Sequence, residues 1–152
     1  MQIKPATPND LPEILQLQYL AYQSEAKLVH NDSIQPLTQT LAELENEYRQ
    51  GVILKAVDDE TGAIIGSVRG RVENGTLYIG KLMVHPERQG NGIGTQLLKV
   101  IEERCPQQRY ELFTSSQSIR NIRLYERAGY RRWKELETAP GLKMVYLEKF
   151  HP

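Results

Sequence analysis

Val84-His85-Pro86-Glu87-Arg88-Gln89-Gly90-Asn91-Gly92-Ile93-Gly94-Thr95-Gln96-Leu97-Leu98 is the stretch on which the reading of this chain turns. It predicts a strand ending at Val84, a tight turn at Pro86, a glycine-rich loop and then an amphipathic helix from Ile93. That helix would turn Leu97, Leu98 and Ile101 inward, with Gln96, Lys99, Glu102 and Glu103 largely outward. Gly90, Gly92 and Gly94 stand at every second position, where the missing Cβ allows positive φ and close approach of a ligand to the backbone. A helix start also offers unpaired N–H groups and the positive end of the macrodipole. The combination is an anion cradle suited to a phosphate or pyrophosphate. Each exposed amide–anion contact contributes only about 0.3–1 kcal/mol, so several must act together.

Two other phosphate-binding loops fit poorly. A dinucleotide-binding turn would carry a third glycine where Thr95 stands, near the start of the chain rather than past its midpoint. A P-loop would end in Gly-Lys-Ser/Thr, which is absent. Taken alone, the stretch is also compatible with a plain glycine-rich turn that opens a helix.

At 152 residues the chain predicts one domain over residues 1–152, with a core large enough to need no staples. Nineteen Lys plus Arg balance nineteen Asp plus Glu, so no net field draws nucleic acid or an acidic membrane. The lone cysteine, Cys105, excludes a disulfide framework and a cysteine-based zinc site, and suits a reducing compartment. It lies near a helix end before Pro106, a position for a small, partly buried side chain. The Met1–Pro5 start has no apolar signal region and no run is long enough to span a bilayer, so a soluble cytoplasmic protein is expected. His30 and His85 lack metal-ligand spacing; no metal site is expected, and His85 is assigned to the turn before Pro86.

A first strand ends near Thr7, where Thr7-Pro8-Asn9-Asp10 reads as an N-cap, a proline at N1 and an acid at N3. Leu11, Ile14, Leu15 and Leu17 mark a first helix. After a polar loop from His30 to Pro36, a second helix carries Leu37, Leu41, Leu44 and Tyr48, and Gly51 stops it. Val52–Val57 and Ile64–Val72 read as antiparallel strands around the Asp58–Gly62 turn, and Asn74-Gly75 marks a hairpin into Leu77–Val84. Beyond the helix at Ile93 come a strand at Tyr110–Thr114, a helix at Ser118–Ala128 with Gly129 as its C-terminal αL residue, and strands at Arg131–Leu136 and Lys143–Phe150. The order β-α-α-β-β-β-α-β-α-β-β predicts a mixed α/β fold, mostly antiparallel with one parallel pair, flanked by about four helices.

Gln89-Gly90-Asn91-Gly92-Ile93-Gly94, the lead-in Leu82-Met83-Val84-His85-Pro86, and Asn121-Ile122-Arg123-Leu124-Tyr125-Glu126-Arg127-Ala128-Gly129-Tyr130 together resemble the two signature motifs of the GNAT N-acetyltransferase superfamily. The element order extends that resemblance over essentially the whole chain. It implies a GNAT-like sheet splayed at its parallel pair to admit coenzyme A, with acetyl-CoA as co-substrate and an amine as acceptor. Amides around Gln89, Gly90, Asn91, Gly92, Ile93, Gly94 and Thr95 would hold the pyrophosphate. The pantetheine arm would pair with the backbone of Leu82 and Val84, and the amide of Met83, or one beside it, would face the thioester oxygen. Asn121 would hold the arm, and Tyr125, four residues on and on the same helix face, would protonate the departing thiolate. A homodimer is also implied.

The alternative reading of Tyr125 is a core aromatic in the Leu124–Gly129 packing. The family commonly places a carboxylate on the strand before the glycine loop, where this chain has Gly80 and Lys81. Glu25 is therefore the candidate base, with Glu73, Glu111 or a water chain as alternatives. Arg69, alternating with Ser67 and Arg71 along its strand, would either hold an anionic acceptor group or belong to a solvated face; Tyr19 and Tyr22 would floor an acceptor pocket or pack their helix. Two other functions remain open: a non-catalytic acyl-CoA-binding or regulatory module on the same scaffold, and a nucleotide-binding domain.

Overall fold

The computed structural model describes residues 1–151. Strands β1 (Gln2–Pro5), β2 (Val52–Val57), β3 (Ile64–Glu73), β4 (Thr76–Val84), β5 (Arg109–Ser115), β6 (Arg131–Ala139) and β7 (Leu142–Phe150) form one sheet in the order β1-β2-β3-β4-β5-β7-β6. Neighbours are antiparallel except β4 and β5, which are parallel because a helix carries the chain from one to the other. The helices are α1 (Leu11–Ala21), α2 (Gln23–Leu28), α3 (Gln35–Thr38), α4 (Leu41–Gln50), α5 (Ile93–Arg104) and α6 (Ile119–Arg127), with single 3₁₀ turns at Pro8–Asp10 and Pro86–Arg88.

The pleat divides the core in two. Ile53 and Ile64 point to a cluster with Leu11, Ile14, Leu15, Leu17 and Leu44 of α1 and α4. Their neighbours Leu54 and Ile65 point to the other face, where Leu97, Leu98 and Ile101 of α5 and Ile122 of α6 close the larger cluster. Reciprocal caps fix two helical starts: the Thr7 N–H donates to Asp10 Oδ2 at 2.8 Å, and the Thr40 N–H donates to Glu43 Oε1 at 2.9 Å.

The single helix expected across Leu37–Tyr48 is two, α3 and α4, because Gln39 adopts an extended conformation, turns its side chain inward, and Thr40 starts a new helix. The segment after the first helix forms a short helix of its own, α2, which begins past Tyr22, so six α-helices flank the sheet among the described residues. Glu102 is not outward but half-buried, accepting from the Tyr130 hydroxyl at 2.6 Å and from Lys149 at 2.8 Å. The Ser67 and Arg69 face of β3 is not solvated: Ser67 is fully buried and Arg69 is 6 % exposed.

One irregularity in the sheet shapes everything that follows. Ser67 pairs with Met83 but Arg69 pairs with Gly80, so Val68 faces two residues, Lys81 and Leu82. Lys81 takes φ +49°, a left-handed conformation uncommon outside glycine, and marks a β-bulge. Just before the bulge β4 leaves β5: the parallel ladder holds only Thr76 to Arg109, Leu77 to Tyr110 and Tyr78 to Glu111.

Gly51 ends α4 with extended backbone, and a Cβ there would lie 2.3 Å from the Gly70 carbonyl oxygen on β3. Gly51→Ala should therefore destabilise the fold by about 1–3 kcal/mol through overpacking. Urea denaturation should show a lower midpoint at unchanged slope.

Candidate functional site

Where β4 and β5 separate, the sheet opens into a cavity of about 740 Å³. Gly80, Lys81 and Leu82 of β4 line one side and Leu112–Ser115 of β5 the other; Asn121 and Tyr125 of α6, Tyr22 at the α1–α2 corner and Glu25 of α2 also face it. In an antiparallel ladder, opposed residues alternate between exchanging backbone hydrogen bonds and turning them outward. The His85 N–H donates to the Ile65 carbonyl at 2.8 Å. The pair two residues back, Met83 with Ser67, therefore bonds inward, and the Val84 N–H and C=O turn to the opening. Leu82 has no register partner on β3 and lines the cavity.

Immediately past Val84 lies the glycine loop. Gly90 and Gly92 take φ of +84° and +78°, and Gln89–Gly92 are exposed, so no side chain fills the loop. Gly94 is buried, its Cα facing Leu124 and Val84. Helix α5 begins after Gly92 without a side-chain cap, and its first intrahelical bond runs from the Gln96 N–H to the Gly92 carbonyl. The N–H groups of Ile93, Gly94 and Thr95 precede that bond and have no partner within the helix. Gln89 is tied to α6, its Oε1 accepting from Arg120 at 2.7 Å. His85 serves the turn, with Nδ1 accepting from the Glu87 N–H at 3.1 Å.

Of the acid–base candidates, Glu25 Oε2 accepts from the Ser118 hydroxyl at 2.7 Å, which binds α2 to the start of α6. Asn121 Nδ2 donates to Thr114 Oγ1 at 3.3 Å. Tyr125 is 6 % exposed and its ring belongs to the larger core cluster, yet it borders the cavity. Burial holds the phenol well above its ordinary pKa, with Tyr22 and the Glu25 charge adding to the effect. Glu73 pairs with Arg71 at the exposed hairpin end, and Glu111 with Arg109 at 2.7 Å. Tyr22 lines the cavity, whereas Tyr19 donates its hydroxyl to the Gln39 carbonyl at 2.5 Å.

The Acetyltransferase (GNAT) family model matches residues 11–130. The chain belongs to the GNAT acetyltransferase family. Among solved structures it resembles the ribosomal-protein-S18-alanine N-acetyltransferase of Escherichia coli, with a TM-score of 0.79 at 15 % identity over 98 % of this chain and 92 % of that one. It also resembles the PaiA N-acetyltransferase of Thermoplasma acidophilum in complex with coenzyme A, with a TM-score of 0.78 at 17 % identity over 99 % and 100 %. A curated relative, the UPF0157 protein YqkA of Bacillus subtilis (strain 168), is 27 % identical over 140 residues, which span 91 % of this chain but only 39 % of that protein.

Against this GNAT frame two polar features stand out. Arg69 is committed to the protein itself: Nη1 donates to Glu47 at 2.7 Å and Gln39 at 3.0 Å, and Nη2 donates to the Gln18 side-chain oxygen. Its Nε is buried without a partner. Gln18 was readable in the sequence, since it continues the inward stripe of Leu11, Ile14 and Leu15, but Gln39 and Glu47 carry no local signal. The second feature is Lys81, half-buried in the cavity wall and with no hydrogen bond or ion pair among the described residues. Burial, then the like charge of Arg69, lower its pKa to about 8, with Glu47 opposing.

A lysine that binds its proton less tightly folded than unfolded lowers stability below its folded pKa. The loss fades as pH rises from about 8 toward the ordinary 10.5. Lys81→Met should therefore raise unfolding free energy at pH 7 by about 1 kcal/mol, and the gain should vanish near pH 10.5, as checked by denaturant titration across that range.

Proposed function

We propose that this chain is an acetyl-CoA-dependent N-acetyltransferase that delivers the acetyl group directly to a primary amine within a ternary complex. One observation carries the reading: β4 beyond Tyr78 keeps β3 but no longer pairs with β5, and that open edge lies opposite Asn121 and a Tyr125 hydroxyl that makes no hydrogen bond among the described residues. The ring is buried but the hydroxyl oxygen is not, so it reaches the cavity and is available to a ligand. The uncapped, glycine-lined start of α5 lies at the end of the same strand and fits a diphosphate.

Bound there, acetyl-CoA supplies the acyl group as a thioester. Amides between Gln89 and Thr95 grip its diphosphate, the outward backbone groups of Val84 together with Leu82 hold the pantetheine arm, and Asn121 steadies it. Because Met83 bonds toward Ser67, the N–H facing the thioester oxygen is assigned to a neighbour of Met83 on the open side. Glu25 takes the proton of the incoming ammonium; its Oε2 is occupied by Ser118 and Oε1 is left for the proton. Tyr125 returns a proton to the departing sulfur. The desolvation that raises the phenol acts also on a thiolate formed beside it, which keeps the two matched. A cytoplasmic setting belongs to the same reading and is supported by the single unpaired cysteine.

Tyr125→Phe should lower kcat by about 10²–10⁴-fold while the acetyl-CoA Kd stays within a few-fold. Glu25→Gln should lose kcat/KM at neutral pH and regain part of it as rising pH deprotonates the acceptor unaided. Thiol release across an amine panel measures both. Acetyl-CoA binding with no thiol release from any amine would instead favour a non-catalytic acyl-CoA-binding module.

A homodimer through β6 is part of the proposal. It is an edge strand with Trp133 and Leu136 44 % and 45 % exposed, a feature that favours pairing with a second copy. Light scattering should give twice the chain mass, and Leu136→Lys should reduce it to one.

A further inference from the structure

The acetyl-transfer reading leaves the acceptor unspecified, and the charges in the cavity narrow it. Six charged side chains line the opening: Glu25, Glu47, Arg69, Arg71, Lys81 and Glu111. Four of them are already compensated. Arg69 pairs with Glu47 at 2.7 Å, Arg71 with Glu73 at 2.5 Å, and Glu111 with Arg109 at 2.7 Å. The remaining two have no ionic partner among the described residues: Glu25 accepts only from a hydroxyl, and Lys81 makes no polar contact.

These two opposite charges are set apart. Glu25 acts on the phenols of Tyr22 and Tyr125, at the thioester end. Lys81 lies in the fields of Arg69 and Glu47, and Glu25 is not among the charges that act on it. Lys81 sits on the bulge itself, at φ +49°, so the same irregularity that opens the sheet sets a cation in the cavity wall. Arg69, locked by Gln18, Gln39 and Glu47, adds positive potential there without being free to fold onto a ligand.

We propose that the acceptor is an amine that also carries a carboxylate, its ammonium received by Glu25 and its carboxylate by Lys81. An uncompensated ammonium in a partly desolvated wall gains most from an anion delivered to it. A diamine or polyamine would place a second cation against Lys81 and Arg69 and be rejected by repulsion. The proposal rests on the acetyl-transfer reading above.

The test measures thiol release at saturating acetyl-CoA with the standard L-amino acids, each paired with its own carboxamide, and with the diamine putrescine. Acetyl-CoA affinity is followed in parallel by calorimetry. A hydrogen bond to a charged group contributes enough to give a preference of about 10–100-fold in kcat/KM for at least one carboxylate over its amide. Lys81→Met should abolish that preference, chiefly through KM for the carboxylate acceptor, with acetyl-CoA affinity unchanged; Lys81→Arg should restore part of it. Preference for carboxamides or putrescine, a preference that survives Lys81→Met, or acetyl-CoA binding with no carboxylate acceptor turned over would each overturn the acidic-acceptor proposal alone. Absence of acetyl-CoA binding would overturn the acetyl-transfer reading beneath it.

Discussion

The bulge at Lys81 is the constraint from which the site follows. A regular β3–β4 ladder would carry β4 alongside β5 for its full length. Two residues opposite Val68 instead add twist and bend to β4, and the parallel ladder stops after three pairs. Backbone groups that a partner strand would satisfy then border an opening instead. A buried, unmet N–H or C=O costs about 1–3 kcal/mol, so such an edge persists only where water or a ligand can reach it. The bulge thus converts a sheet interior into a binding edge, while the other strands still pair and keep the edge rigid.

The opposite wall depends on Arg69. A cation 94 % removed from solvent is tolerated because Glu47, Gln18 and Gln39 surround its guanidinium, and those three side chains come from α4, α1 and the α3–α4 joint. The network therefore fastens three helical segments to β3 at one point. It accounts for the break in the helix that sequence periodicity joins: Gln39 must leave helical geometry to reach Gln18 and Arg69, and Thr40 then caps the next helix. The α1–α2 corner bearing Tyr22 and Glu25 is positioned over the cavity by the same attachment and by the Ser118 bond to Glu25.

Much of this architecture was legible in the residues, and what was legible shares a cause. The Asn74-Gly75 hairpin, the glycine loop entering α5, the parallel pair and the two-sided core all arise from short-range periodicity or local backbone preference. The features that were not legible are long-range. Ser67 and Arg69 alternate with apolar residues as on any half-exposed strand, and only the distant Gln18, Gln39 and Glu47 make that face interior. The bulge has no turn residue to announce it: Gly80 is regular, and the neighbouring lysine takes the left-handed conformation. Lys81 stood out in the sequence only as an interruption, where the family commonly places a carboxylate; the fold makes it the one cation without an ionic partner among the described charged side chains lining the cavity.

Tyr125 shows why packing and chemistry need not be rival explanations for one side chain. Its ring lies in the core cluster, 6.3 Å from the Tyr130 ring, as a purely structural aromatic would. The hydroxyls separate the cases. Tyr130 donates to Glu102 at 2.6 Å, and Tyr19 donates to the Gln39 carbonyl at 2.5 Å, so phenols elsewhere in the interior are satisfied by the protein. Tyr22 and Tyr125 make no such bond among the described residues, and both border the same opening as Glu25, whose charge acts on each. Neither of these two oxygens is sealed in the core, since Arg69 Nε is the one buried side-chain polar atom without a partner among the described residues. Two phenols beside one carboxylate, at the opening where β4 no longer pairs with β5, place unused hydrogen-bonding capacity where a reacting group would meet it.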